Sequence, residues 1–172
     1  MPTVLRRKTA GTFLHGGFRT DSQISSKDFL SAQGDLYSGR EGISTPFQLN
    51  SMQASSVDNL AQVHLSGGFF QTSWNHRYSG RSDTTLLISY QRYARTDVLQ
   101  KTRGTLDPDF QHNFSVGERH QFVWGFDYRH SDSQTQASFA VALVPPDHHT
   151  NIYSGFAQDQ IVVLRDRLSF LL

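Results

Sequence analysis

Two sets of side chains invite a chemical reading. Arg77, Asp107, Asp109, Asp127 and Arg129 stand at alternate positions between apolar residues. In an extended chain that spacing puts them on one wall of a sheet, where they could contact a solute or a second domain. The plainer reading is that they are solvated wall residues pairing across strands, each exposed pair contributing under about 1 kcal/mol. The second set is Asp147-His148-His149. Adjacent residues of an extended chain splay to opposite sides, and no third ligand is fixed by spacing, so no metal site is expected. The eight histidines and many serines also raise a hydrolase. However, there is no Gly-x-Ser-x-Gly turn, and no Ser, His and acid are brought together by spacing. The expectation is no catalytic residue, no enzymatic activity and no cofactor.

The elements that must position these charges are strands. Helix signals are poor: no segment keeps an apolar period of 3.6 for three turns, whereas period 2 is common. Phe122, Trp124, Phe126 and Tyr128 oppose Val123, Gly125, Asp127 and Arg129, and Leu106, Phe110 and Phe114 oppose Asp107, Asp109, Gln111 and Asn113. A turn at Val116-Gly117-Glu118 joins these two into a hairpin. Upstream, Phe70, Thr72, Trp74, His76 and Tyr78 oppose Gln71, Ser73, Asn75 and Arg77. Ser79-Gly80-Arg81-Ser82 then turns the chain into a strand on which Leu86, Ile88 and Tyr90 share a face.

A third hairpin sets Leu14, Gly16 and Phe18 beside Leu30, Ala32, Gly34 and Leu36, around a polar turn at Asp21–Lys27. Near the C-terminus, Asn151–Val162 and Leu168–Leu172 flank a turn at Arg165-Asp166, the first of them without a clean apolar face. Eight strands are thus predicted.

Composition narrows the class. The chain has 172 residues, no cysteine, a net charge of +1, 37% hydrophobic and 12% aromatic residues, yet a mean hydropathy of −0.47. No apolar run approaches the roughly 20 residues of a spanning helix, and without cysteine there is no disulfide scaffold. So balanced a charge offers little with which to neutralise many phosphates, so nucleic acid is not an expected partner.

Links near 21–27, 79–82, 115–118 and 164–166 are short, those at 38–66 and 131–150 are long, and only 96–100 breaks the alternation. Such asymmetry fits an antiparallel up-and-down transmembrane β-barrel segment with short periplasmic turns and longer extracellular loops. Aromatics toward strand ends (Tyr37, Trp74, Tyr78, Tyr90, Tyr93, Tyr128) suit a membrane interface. Small residues on the apolar side (Gly16, Ala32, Gly34) would leave holes in a packed core but are tolerable against lipid. Tyr-Ser-Gly recurs at 37–39, 78–80 and 153–155, the first two read as strand meeting turn.

Several stretches resemble the barrel domain of TonB-dependent outer-membrane receptors. They are Gln33-Gly34-Asp35-Leu36-Tyr37-Ser38-Gly39-Arg40-Glu41-Gly42; Ser82-Asp83-Thr84-Thr85-Leu86 with Tyr90 and Tyr93; Leu106-Asp107-Pro108-Asp109-Phe110-Gln111-His112 with Trp124-Gly125-Phe126-Asp127-Tyr128-Arg129; and Ser154-Gly155-Phe156-Ala157-Gln158-Asp159-Gln160 with Asp166-Arg167-Leu168. They span most of residues 11–172. No TonB box, plug domain or closing strand is matched, and Pro108 departs from the resembling strands in a way that should break a ladder bond or mark a bulge.

The resemblance implies residues 10–172 as part of a barrel of about 22 strands, with the plug and remaining strands absent and residues 1–9 a leader or truncated strand. It further implies active uptake of an iron chelate, a cobalamin-like compound or an oligosaccharide across the outer membrane of a Gram-negative-type bacterium. The implied partners are outer-membrane lipid, the plug domain, the TonB complex and an unidentified small ligand. Residues 39–65 and 132–149 would be extracellular, ligand-binding loops. Two alternatives remain: a complete small eight-stranded outer-membrane barrel with an adhesive or structural role, and a soluble carbohydrate-binding β-sandwich, which would bury Trp124 and Phe126.

Overall fold

A computed structural model describes residues 11–47, 57–97, 99–136, 145–164 and 168–172. They form eight strands in chain order: β1 (Gly11–Gln23), β2 (Asp28–Phe47), β3 (Val57–Ser79), β4 (Ser82–Thr96), β5 (Gln100–Val116), β6 (His120–Gln136), β7 (Asp147–Leu164) and β8 (Leu168–Leu171). Each pairs antiparallel with the next, giving one up-and-down sheet ordered β1 to β8, with no helix among the described residues and no pairing between β1 and β8. The fold class is therefore all-β, and the sheet is open.

Local chemistry sets the turns. Gly80 and Arg81 form a two-residue connection, and Gly117 opens the β5–β6 turn at φ +63°, a backbone state in which a side chain is strained. Between β1 and β2, the Ser25 hydroxyl donates to Asp28 Oδ2 (2.5 Å) and accepts the backbone N–H of Asp28 (3.1 Å). The 97–99 turn is held by Asp97, whose Oδ1 accepts the Leu99 N–H (2.9 Å) and whose Oδ2 accepts Arg95 Nε (2.6 Å).

The long links differ from expectation. Within 38–66, β2 runs to Phe47 and β3 starts at Val57, so most of that span is a paired hairpin; likewise β6 reaches Gln136 and β7 starts at Asp147. Backbone pairing continues where apolar alternation has faded, because ladder hydrogen bonds need no apolar side chain. Tyr37-Ser38-Gly39 and Tyr153-Ser154-Gly155 accordingly lie inside strands, and only Tyr78-Ser79-Gly80 meets a turn. The expected segment 1–9 and the Arg165-Asp166 turn lie outside the described residues.

Register assigns the faces. Residues directly opposite share a face, and the pairings place every even-numbered position of β1 to β6, up to the irregularity between Arg77 and Ser79, with the odd-numbered positions of β7. That face carries Phe18, Leu30, Trp74, Leu86, Phe110 and Phe126. The other carries His15, Asp35, Gln71, Asp83, Asp107 and Arg129. Pro108 leaves a gap in the β5–β6 ladder between the Leu106–His130 and Asp109–Asp127 pairs, but the register is the same on both sides, so it breaks pairing without a bulge.

Glycines let neighbouring strands carry rings without crowding. Phe18 lies over Gly34, Tyr37 over Gly67 and Phe156 over Gly125, each pair directly opposite in register. At each glycine an added Cβ would lie under 3.0 Å from ring atoms, so the aromatic fills the volume the glycine leaves.

Candidate functional site

The five charges singled out from spacing all project from the polar face, but they do not form one cluster. Asp107 and Arg129 are directly across the Pro108 gap, where Arg129 donates Nε (2.8 Å) and Nη2 (2.6 Å) to Asp107 Oδ2. Asp127 accepts the Ser154 hydroxyl at 3.2 Å and faces Asp109 in register. The Asp107–Arg129 pair spans the two strands where proline weakens their backbone ladder.

Arg77 lies elsewhere, at the short-turn end of β3 opposite Asp83. Asp83 instead accepts Asn113 Nδ2 at 3.4 Å.

A second polar track, on β1 to β3, has no counterpart in the sequence reading. His15 pairs with Asp35, Arg19 Nε with Asp21 (2.9 Å), Arg19 Nη1 with Gln33 Oε1 (3.4 Å), and Gln33 Nε2 with Gln71 Oε1 (3.4 Å). Alternation already places these residues on the polar face; which of them meet depends on inter-strand register, which spacing does not give. Further along the same face, Thr105 and Ser131 hydrogen-bond at 3.1 Å and are buried.

The other face has its own order. Between Asp28 and Asp159 at the short-turn end, and Arg40, Arg92 and Asp132 at the other, no Asp, Glu, Lys or Arg occupies it on β1 to β7. On β6 the band runs from His120 to His130, eleven residues, close to the roughly 9–11 that a tilted strand needs to cross a hydrocarbon core.

Rings gather at both margins. At the short-turn end His76 meets Tyr78 edge-on (4.6 Å between centroids), His112 meets Trp124 (6.0 Å) and Phe114 stacks on Phe122 (5.3 Å). Polar tips there are anchored, with Trp74 Nε1 donating to Asp28 (3.1 Å), His76 Nδ1 pairing with Asp28 (2.6 Å) and His120 Nδ1 with Asp159 (2.7 Å). At the opposite margin Tyr128 stacks on Tyr153 (4.8 Å) and donates to Asn151 (2.9 Å). Of the tyrosines expected at interfaces, Tyr37 and Tyr93 belong instead to the polar face; Tyr37 stacks on Phe13 there.

Exposure inverts the usual pattern. Val63 is the one buried apolar side chain among the described residues, whereas Thr105, Ser131 and Thr135 of the polar face are buried. Trp124 and Phe126, which a second layer would cover, are 42% and 48% exposed. Thr84 is the exception, a buried residue on the apolar face.

His148 and His149 do splay, His148 toward Thr150 (3.1 Å) and His149 toward Asp132 (3.2 Å). Among the described residues no group of three or more His, Asp or Glu could hold a metal ion. Outside the band, the Asp97 carboxyl is held below the ordinary carboxylate range, chiefly by the Leu99 N–H and then by Arg95.

No protein-family model matches the chain, and neither does any curated protein.

Proposed function

We propose that the chain is a segment of an outer-membrane β-barrel, and within that class part of a TonB-dependent receptor that takes up a scarce nutrient. The observation that carries the membrane reading is the charge-free, ring-bordered and exposed band on one face. Water gains nothing from such a band, at about 25 cal/mol per Å² of apolar surface left exposed, whereas lipid accepts it while the charged face lines a wet lumen.

Strand directions agree: three short turns, at 24–27, 80–81 and 117–119, lie at one end, as periplasmic turns do. The receptor reading rests on the resemblance of the strand sequences. In it, Asp107, Asp109, Asp127, Arg129 and Arg77 line the lumen toward a plug or solute, and the ligand is an iron chelate, a cobalamin-like compound or an oligosaccharide.

The test is fractionation of the source bacterium followed by uptake assays with a labelled ferric chelate, cobalamin and an oligosaccharide, in the parent strain and in strains lacking either this gene or TonB. The protein should be in the outer membrane, and one uptake activity should vanish in both deletions. A protein recovered in the soluble fraction would overturn the membrane reading. An outer-membrane protein whose deletion leaves all three uptakes intact would leave the small adhesive or structural barrel as the better reading.

A further inference from the structure

On the apolar face toward the 97–99 end, β1 to β4 enclose an open groove of about 880 Å³. One row straight across the four strands reads Gly16, Leu36, Gly68, Arg92. Gly16 leaves a depression, Leu36 lies over Gly68, and Leu36, Phe70, Tyr90 and Arg92 line the groove. Gly68 cannot be replaced cheaply, because an added Cβ would run into the Asp35 carbonyl oxygen and the Leu36 side chain; at Gly16 an added Cβ meets nothing within 4 Å.

Arg40 lies on the same face, two row positions beyond Leu36 on β2. Neither Arg40 nor Arg92 has a side-chain partner among the described residues. By contrast, Arg19, Arg95 and Arg129 of the polar face are each bound to a carboxylate. The two margins of the apolar band also differ in sign. Asp28 and Asp159 mark the short-turn margin, and Arg40 and Arg92 the other, where Asp132 is engaged by His149.

Resting on the membrane reading above, we propose that this groove seats an acyl chain of a membrane lipid whose anionic phosphate headgroup is held by Arg92 and Arg40. The volume is within the roughly 300–1,000 Å³ of small-molecule sites. A guanidinium donates a planar fork of N–H groups that matches phosphate oxygens. An unpaired arginine just outside the hydrocarbon layer is at the depth of lipid phosphates. An apolar groove lined by one guanidinium, Arg92, with a second, Arg40, farther along the same face, complements both the chain and the headgroup of a lipid.

The experiment uses the protein extracted from its membrane in a neutral non-ionic detergent. Native mass spectrometry follows retention of added dioleoyl phosphatidylglycerol, dioleoyl phosphatidylcholine and inorganic phosphate. Phosphatidylglycerol should be retained about 25-fold better than phosphatidylcholine of the same chains, two cationic contacts of about fivefold each acting together, and inorganic phosphate should not compete.

Arg92→Gln and Arg40→Gln should each weaken phosphatidylglycerol about fivefold and leave phosphatidylcholine unchanged. Gly16→Leu, which meets no backbone, should fill the groove and reduce both lipids. Equal retention of phosphatidylglycerol by the parent, Arg92→Gln and Gly16→Leu proteins overturns the lipid site. Competition by inorganic phosphate also overturns it, in favour of a simple anion site. A protein found in the soluble fraction sinks the membrane reading itself, whereas an outer-membrane protein without lipid preference sinks only the lipid site.

Discussion

The two faces of this sheet are built by opposite rules. The polar face makes directed contacts: Asp107 with Arg129, His15 with Asp35, Thr105 with Ser131, each dependent on register. The apolar face makes almost none within its band and confines its directed contacts to the margins, at Trp74, His76, His120 and Tyr128. In a soluble protein the apolar face would be the sheltered one; here the buried polar residues Thr105, Ser131 and Thr135 are opposite exposed rings. Among the described residues, then, directed contacts organise the polar face while nothing of the sheet itself covers the apolar one.

The same charge placed on each face should have different consequences. Phe126→Arg, in the middle of the band, should destabilise the protein in lipid by about 2–4 kcal/mol, read by denaturant unfolding from vesicles. Gln111→Arg, adjacent in the β5–β6 ladder but on the polar face, should change little. Equal effects would remove the distinction between faces.

A smaller effect is expected from strand packing, which both faces share. At Gly125 an added Cβ would approach the Phe110 carbonyl oxygen to 2.7 Å and the Phe156 ring to 2.6 Å. Gly125→Ala should therefore cost about 1–3 kcal/mol through overpacking. Gly16→Ala, with no neighbour within 4 Å, should be neutral or slightly favourable, and the same unfolding assay ranks the two.

Smaller again is the cross-strand ion pair. Arg129→Met should cost under about 1 kcal/mol, since the side chain is 49% exposed. A cost well above that would mean that the pair reinforces the ladder at the Pro108 gap.

The smallest effect lies outside both faces, at the 97–99 turn. Because the folded Asp97 carboxyl titrates below its ordinary range, its contribution is present above the unfolded value and is lost as pH falls through the folded one. Protection of the Leu99 amide from hydrogen exchange, relative to its intrinsic rate, should fall over that acidic window, and Asp97→Asn should remove the dependence.

Sequence spacing made the strands legible because a side-chain period of 2 is imprinted wherever one face differs chemically from the other, as from Phe122 to Arg129. It failed where that contrast fades. The hairpin extension of β2 and β3 is carried by backbone pairing, and Tyr37 and Tyr93, near strand ends like the interfacial rings, stand at odd positions and so on the polar face. Spacing does not pair Arg40 with Arg92, because Arg40 between Gly39 and Glu41 and Arg92 between Gln91 and Tyr93 each read like any exposed charge.

Local alternation and turn chemistry are written in the sequence, and from them follow eight strands, their antiparallel order and, wherever the two faces differ chemically, which residues of a strand share one. How those faces align across strands emerges only from the folded sheet. Register is a relation between distant segments, fixed by backbone hydrogen bonds that carry no residue code. It joined Asp107 to Arg129, separated Arg77 from both, and set Gly16, Leu36, Gly68 and Arg92 in one row.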